Sequence, residues 1–191
     1  MSTNIILCGV GGQGTILASK LIATAAMRRG IPIKTAETIG MAQRGGSVFS
    51  HVRLGEGVAS PLMGRGTADL ILAFEPAEAV RMLPYLKPSG CVVASSRPVV
   101  PVSAMTGGPA YDHEAIMRYL RENVQKLVEV DAEAAAAELG SDRCLNVVLL
   151  GAAARAGELG LTVEDLVEAL HERLPERLWE LNERALAYTM A

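Results

Sequence analysis

No two cysteines in this 191-residue chain are close enough to form a CxxC pair. Cys8, Cys91 and Cys144 stand far apart, each among apolar neighbours. They read as reduced core thiols, not as a disulfide frame or a metal cluster. The chain therefore carries no cysteine set for an iron–sulfur centre of its own. Aromatic residues are also scarce, with one Trp, four Tyr and two Phe. Ala, Val, Leu and Gly take their place, as in buried parallel sheets covered by helices. Neither sign of charge dominates: 18 basic residues face 21 acidic ones, and no basic face stands out for nucleic acid. No apolar run approaches the roughly 20 residues of a membrane span, and no basic-then-apolar leader precedes the first apolar segment. The expectation is a cytoplasmic protein with no membrane and no nucleic-acid partner. A GxSxG nucleophile turn is absent. His51, His113 and His171 are scattered without metal-ligand spacing, so no metal site is expected and structural or surface roles are assigned to them.

What is present is an alternation of short apolar segments and helix-compatible segments. The length fits one domain spanning 1–191, divided into an α/β core over 1–140 and a helical layer over 141–191. Strands are expected at 5–10, 31–37, 47–54, 68–74, 90–95 and 126–130. Ser47 to Leu54 alternates and suits a strand with one wetter face. Helices are expected at 12–29, from Pro76 to about Leu83, from an Asp112 cap to Asn123, and over 132–139 with closure at Gly140. The proline-rich segment 97–108 reads as irregular or as an edge. From Cys144 onward the pattern is helical, with Thr162 and Asp165 spaced as a capping box and Pro175 opening a last helix. Leu166, Leu170, Leu174, Leu178 and Leu181 suit a core or subunit contact, and Trp179 suits burial in the same core.

Two loops hold the candidate chemistry. In the first, Gly9, Gly11 and Gly14 follow an apolar strand and open a helix at GxGxxG spacing, with Gly12 and Gln13 between them. Such a turn lets the backbone approach a phosphate at a helix N-terminus, and Gln13 adds an amide there. Alternatively, the glycines only make a tight turn and allow close helix–strand packing. Glu37, near the tip of the second strand, keeps open a nicotinamide or flavin dinucleotide. The second loop holds Gln43, Arg44, Gly45 and Gly46. A guanidinium beside two glycines can meet a carboxylate or phosphate, with free backbone N–H groups beside it. Its bland counterpart is a turn whose Arg pairs with an acid such as Glu37. The first strand–helix–strand unit is expected to be parallel and right-handed. The fold class is thus α/β: three layers, a Rossmann-like and mostly parallel sheet, and a C-terminal helical layer.

Taken together, Gly9-Val10-Gly11-Gly12-Gln13-Gly14 and Glu37-Thr38-Ile39-Gly40-Met41-Ala42-Gln43-Arg44-Gly45-Gly46-Ser47-Val48 resemble the gamma-type domain of 2-oxoacid:acceptor (ferredoxin) oxidoreductases, within it the indolepyruvate branch. Asn146 to Ala152 and Glu180 to Ala185 extend the resemblance to the last helix. Ile39 departs from the pattern, since many members carry His there.

The resemblance implies a subunit of an enzyme that converts a 2-oxoacid, indolepyruvate or a related ketoacid, to an acyl-CoA and passes electrons to ferredoxin. It also implies that no catalytic residue lies in this chain alone. Thiamine diphosphate, Mg and iron–sulfur clusters would sit in large partner subunits. This chain would complete the assembly and contact coenzyme A through Gly9, Gly11, Gly12, Gln13, Gly14, Gln43, Arg44, Gly45 and Gly46. A homodimer of the isolated chain is a further expectation. A stand-alone NAD- or FAD-binding dehydrogenase and a ligand-free assembly module stay open beside that reading.

Overall fold

The structure, a computed structural model, describes residues 2–37, 42, 45–108 and 110–189. The expected loop residues 38–41, Gln43 and Arg44 lie outside the described residues, as does Pro109. The chain runs β1 (Thr3–Val10), α1 (Thr15–Arg28), β2 (Ile33–Glu37), β3 (Ser47–Leu54), β4 (Ala68–Ala73), α2 (Pro76–Met82) and β5 (Leu86–Ser95). It continues through α3 (Val102–Met105), α4 (His113–Asn123), β6 (Lys126–Val130), α5 (Ala132–Leu139), α6 (Leu145–Arg155), α7 (Val163–Arg173) and α8 (Trp179–Ala187).

One six-stranded sheet has the order β2-β3-β1-β4-β5-β6. The pairs β1–β4, β4–β5 and β5–β6 are parallel, whereas β3 runs antiparallel to both β1 and β2. Alternate residues of the central strands feed opposite faces. Ile5, Leu7, Leu70, Leu72 and Val93 pack against Leu21 and Ile22 of α1, Leu149 and Leu150 of α6, Leu166 and Leu170 of α7, and Leu186 of α8. Ile6, Cys8, Ile71, Ala73, Val92 and Ala94 pack against Ala79 and Met82 of α2 and Met117 and Leu120 of α4. The result is three layers. Each fully buried Leu or Ile contributes about 1.5–3 kcal/mol, which is what holds a chain so poor in aromatics.

Local signals place the helix ends. The Asp112 side chain accepts from Ala115 N–H, and Thr162 with Asp165 forms a reciprocal capping box. Both devices satisfy N–H groups that the helix itself leaves unpaired.

Four features differ from expectation. The second strand in sequence is not the neighbour of the first, because β3 is inserted between them. The wetter face of β3 is partly covered: His51 is buried against Phe49 and Tyr85, while Phe49 and Arg53 are half-buried. The 97–108 segment contains the one-turn α3, and the last helix is preceded by a 3-10 turn over Glu176–Leu178. Leu166 and Leu170 are core residues, and Trp179 packs partly buried against that core.

The C-terminal layer crosses itself at Gly151 of α6. A Cβ there would collide with the backbone carbonyl of Leu186 in α8. The same crossing is clamped by the Arg155 guanidinium, which donates to the carbonyls of Leu186 and Tyr188. Gly151→Ala should therefore destabilise the chain by about 1–3 kcal/mol in urea denaturation, the usual cost of overpacking. An unchanged or raised midpoint would mean that α8 yields freely.

Candidate functional site

Strand β1 ends at Val10, and the chain must turn within four residues to start α1. Gly12 (φ 103°) and Gly14 (φ 82°) adopt the left-handed conformations that the turn requires. Gln13 then folds back beneath the turn. Its Oε1 accepts from Val10 N–H at 2.7 Å, and its Nε2 donates to the Phe74 carbonyl at 2.9 Å. The amide thus bridges the ends of β1 and β4. Gly9 makes room for it, since a Cβ there would lie 2.7 Å from Gln13 Oε1 and 3.0 Å from Phe74 Cβ. Gly9 and Gln13 therefore build the turn.

Gly14 caps α1 with no side chain over the first turn. The start of the helix thus has no side-chain cap bond, an arrangement that suits an anion. Gly11 N–H donates to the Gly46 carbonyl at 2.8 Å, and Gly46 N–H donates to the Ala42 carbonyl at 2.8 Å. The glycine turn and the Gly45–Gly46 loop therefore share one rim. Gln43 and Arg44 lie outside the described residues of that second loop.

A buried pair of acids, which the sequence reading did not assign to the site, anchors this rim. The Ser47 hydroxyl donates to Glu78 Oε2 at 2.5 Å, and Arg81 pairs with Glu78 Oε1 at 3.1 Å. Glu75 is 1% exposed. It accepts from Glu78 N–H at 3.0 Å, from Val99 N–H at 3.4 Å and from the Tyr111 hydroxyl. Burial raises the Glu78 carboxyl above its ordinary range, and the Glu75 charge adds to this, while Ser47 and Arg81 oppose it. Burial, helped by the same two acids, pushes the Cys8 thiol well up, so it stays protonated and inert. The only sequence signal for the pair was Glu-Pro-Ala-Glu at a helix start.

Two clefts flank the glycine turn. One, of about 270 Å³, lies between Gly11, Gly12, Thr15 and Ile16 on one side and Val48 and Ser50 of β3 on the other. The second, of about 290 Å³, opens past Gln13 and Phe74 toward Ser95, Arg97, Arg143 and Asn146.

The geometry needed for a ribose-binding acid is missing. Glu37 ends β2, and β3 separates that strand from β1, which puts it two strand spacings away, about 10 Å. His51 is buried between the Phe49 and Tyr85 rings, where burial and the Arg53 charge lower its pKa. His171 pairs with Glu183 and stacks on Trp179. Among the described residues, no group of three or more His, Cys, Asp or Glu is arranged to hold a metal ion. No helix of the structure is long and apolar enough to cross a membrane.

Residues 4–191 match the family described as pyruvate ferredoxin/flavodoxin oxidoreductase. The chain belongs to this family. It is 40% identical over 187 residues to the indolepyruvate oxidoreductase subunit IorB of Archaeoglobus fulgidus, covering 97% of this chain and 92% of that protein. It is 26% identical to the pyruvate/ketoisovalerate oxidoreductases common subunit gamma of Pyrococcus furiosus, covering 93% and 89%. The gamma subunit of a keto/oxoacid ferredoxin oxidoreductase from Geobacter sulfurreducens superposes with a TM-score of 0.69 at 26% identity, covering 97% and 94%. A 2-oxoglutarate:ferredoxin oxidoreductase from Magnetococcus marinus shares the fold at TM-score 0.71 and 22% identity, with 30% of its longer chain matched.

The geometry has two measurable consequences. Gln13→Ala removes both ends of the bridge and should cost about 1–3 kcal/mol of stability, the penalty for stranding buried backbone groups; an unchanged denaturation midpoint would contradict the bridge. Glu78 has a folded pKa above its unfolded one, so its contribution is complete below the ordinary carboxylate range and is lost as pH rises through the raised value. Glu78→Gln should flatten that part of the stability–pH profile and be neutral or stabilising at pH 7. A variant with the parent's slope above pH 4.5 would place the titration elsewhere.

Proposed function

We propose that the chain is the small subunit of a thiamine diphosphate- and ferredoxin-dependent 2-oxoacid oxidoreductase, acting on indolepyruvate or a related ketoacid. The observation that carries this reading is the 40% identity to subunit IorB along almost the entire chain. The net reaction converts a 2-oxoacid, coenzyme A and two oxidised ferredoxins to acyl-CoA, CO₂, a proton and two reduced ferredoxins. Thiamine diphosphate supplies the carbanion chemistry of decarboxylation, and iron–sulfur clusters carry the electrons; the reading assigns both to large partner subunits. It also gives the chain no activity alone and a cytoplasmic setting.

The contribution of this chain is positional. Gly11, Gly12 and Gly14 offer a bare backbone and the unshielded start of α1 to the phosphates of coenzyme A. Arg44 and Gln43, on the loop that joins the same rim at Gly46, add a guanidinium and an amide. The 270 Å³ cleft between α1 and β3 takes the phosphate end of that ligand. Glu78 holds the exit of the loop through Ser47 and so keeps the two walls in register.

A second reading is an assembly module that binds no ligand. The structural roles of Gly9 and Gln13 favour it, because both serve packing. In the reconstituted complex, Arg44→Ala should weaken coenzyme A binding about tenfold, the loss of about 1.4 kcal/mol expected for one charge-assisted contact, without loss of assembly. Unchanged affinity would leave the assembly module as the account. The isolated chain should neither bind NADH at micromolar concentration nor turn it over; if it does both, the dehydrogenase reading replaces this one.

A further inference from the structure

The cleft on the far side of the glycine turn lies where an open α/β sheet makes its crevice. From β1 the chain crosses to α1 on one face of the sheet, and from β4 it crosses to α2 on the other face. The loops leaving β1 and β4 therefore part company, and ligands of such folds bind in the gap they leave. Gln13 closes the floor of that gap by bonding the Phe74 carbonyl. Above it lies the 290 Å³ cleft.

The cleft is lined by donors, not all of which are already paired. The Ser95 side chain is 97% buried by its 3% exposure, and its oxygen already accepts from Arg97 N–H at 3.1 Å. Its hydroxyl hydrogen has no acceptor among the described residues. Arg143 likewise has no partner for its guanidinium among the described residues. Arg97 pairs with Asp142 at 3.1 Å, which leaves the wall with two cations and one acid. Helices α1 and α6 both begin here; neither has a side-chain bond from its N-cap residue, although in α6 the Val147 N–H already donates to Asn146 Oδ1 at 3.0 Å. Asn146 ties the two starts together by donating to the Gly14 carbonyl at 3.3 Å. The free Arg143 guanidinium, the Arg97 guanidinium shared with Asp142, a hydroxyl donor and two helix starts suit an acceptor-rich anion. The volume falls at the small end of the about 300–1,000 Å³ range of ligand pockets, which suits a diphosphate rather than a whole dinucleotide.

We propose that this cleft is a phosphate-binding site, distinct from the β3-side cleft, that takes a diphosphate group through Ser95, Arg97 and Arg143. The ligand is inorganic pyrophosphate or the diphosphate of a nucleotide. The site shares Gly12 and the start of α1 with the coenzyme A reading, but Ser95, Arg97 and Arg143 take no part in that reading.

Calorimetric titration of the full chain with pyrophosphate tests it. One saturable site is expected, with amide shifts in NMR spectra at Gly12, Ser95 and Asn146. The double variant Arg97→Ala/Arg143→Ala should weaken binding more than tenfold, while Arg177→Ala leaves it unchanged. Asp142→Asn frees the Arg97 guanidinium from its acid and should tighten binding severalfold. A matched titration with ADP separates the sources: at least tenfold tighter binding than pyrophosphate identifies a nucleotide, and equal or weaker binding identifies the free anion. Arg44→Ala should leave these titrations unchanged even if it abolishes coenzyme A binding. No saturable binding of either ligand at millimolar concentration, or equal binding by the double variant, would overturn the proposal.

Discussion

The edge of the sheet where ligands would meet this protein is held by one amide side chain in a space that no Cβ can share. Gln13 links Val10 to Phe74, and so fixes the end of β1 against the end of β4. It can do so only because Gly9 has no side chain to fill the gap. Each neutral hydrogen bond adds only about 1 kcal/mol net, but breaking one inside the protein strands a carbonyl or an N–H at greater cost. The glycine turn is therefore presented at one height above the sheet. A Cβ on Gly12 would meet open space, whereas Gly14 lies against the Asn146 amide.

From that fixed turn the anchoring passes outward to other layers. Gly46 is bound to Gly11, Ser47 to Glu78, and Glu78 to the first turn of α2, whose cap Glu75 also holds Val99 and Tyr111. Two acids are buried together here, a costly arrangement unless their oxygens are well supplied with donors. The donors come from four separate chain segments. The rim of the β3-side cleft, the start of α2 and the segment after β5 are thus bonded into one connected set. Asn146 extends the connection to α6 in the opposite layer.

Features set by neighbouring residues were legible in the sequence. The Asp112 cap, the Thr162–Asp165 box and the closure of α5 at Gly140 need only a few residues each, and they stand where the pattern put them. The glycine spacing correctly placed a turn between a strand and a helix. The insertion of β3 between β2 and β1 was not legible, because strand order is decided by pairing across the chain. That same insertion separates Glu37 from the glycine turn. Gln13 looked like a ligand contact because its partner, Phe74, is distant in sequence. Arg97 and Arg143 passed unnoticed for the same reason: only folding brings them to one cleft. The paired loop motifs carried the family because two short segments far apart in sequence had to match together.

The family assignment, the uncapped start of α1 and the bond between Gly11 and Gly46 support the proposal that the glycine turn and the Gln43–Gly46 loop act as one surface inside an oxidoreductase assembly. Hydrogen–deuterium exchange on the assembled complex, with and without coenzyme A, tests it directly. The account predicts that peptides covering Gly11–Gly14 and Gln43–Ser47 gain protection together when the ligand is added. Protection confined to one of the two segments, or to neither, would contradict it.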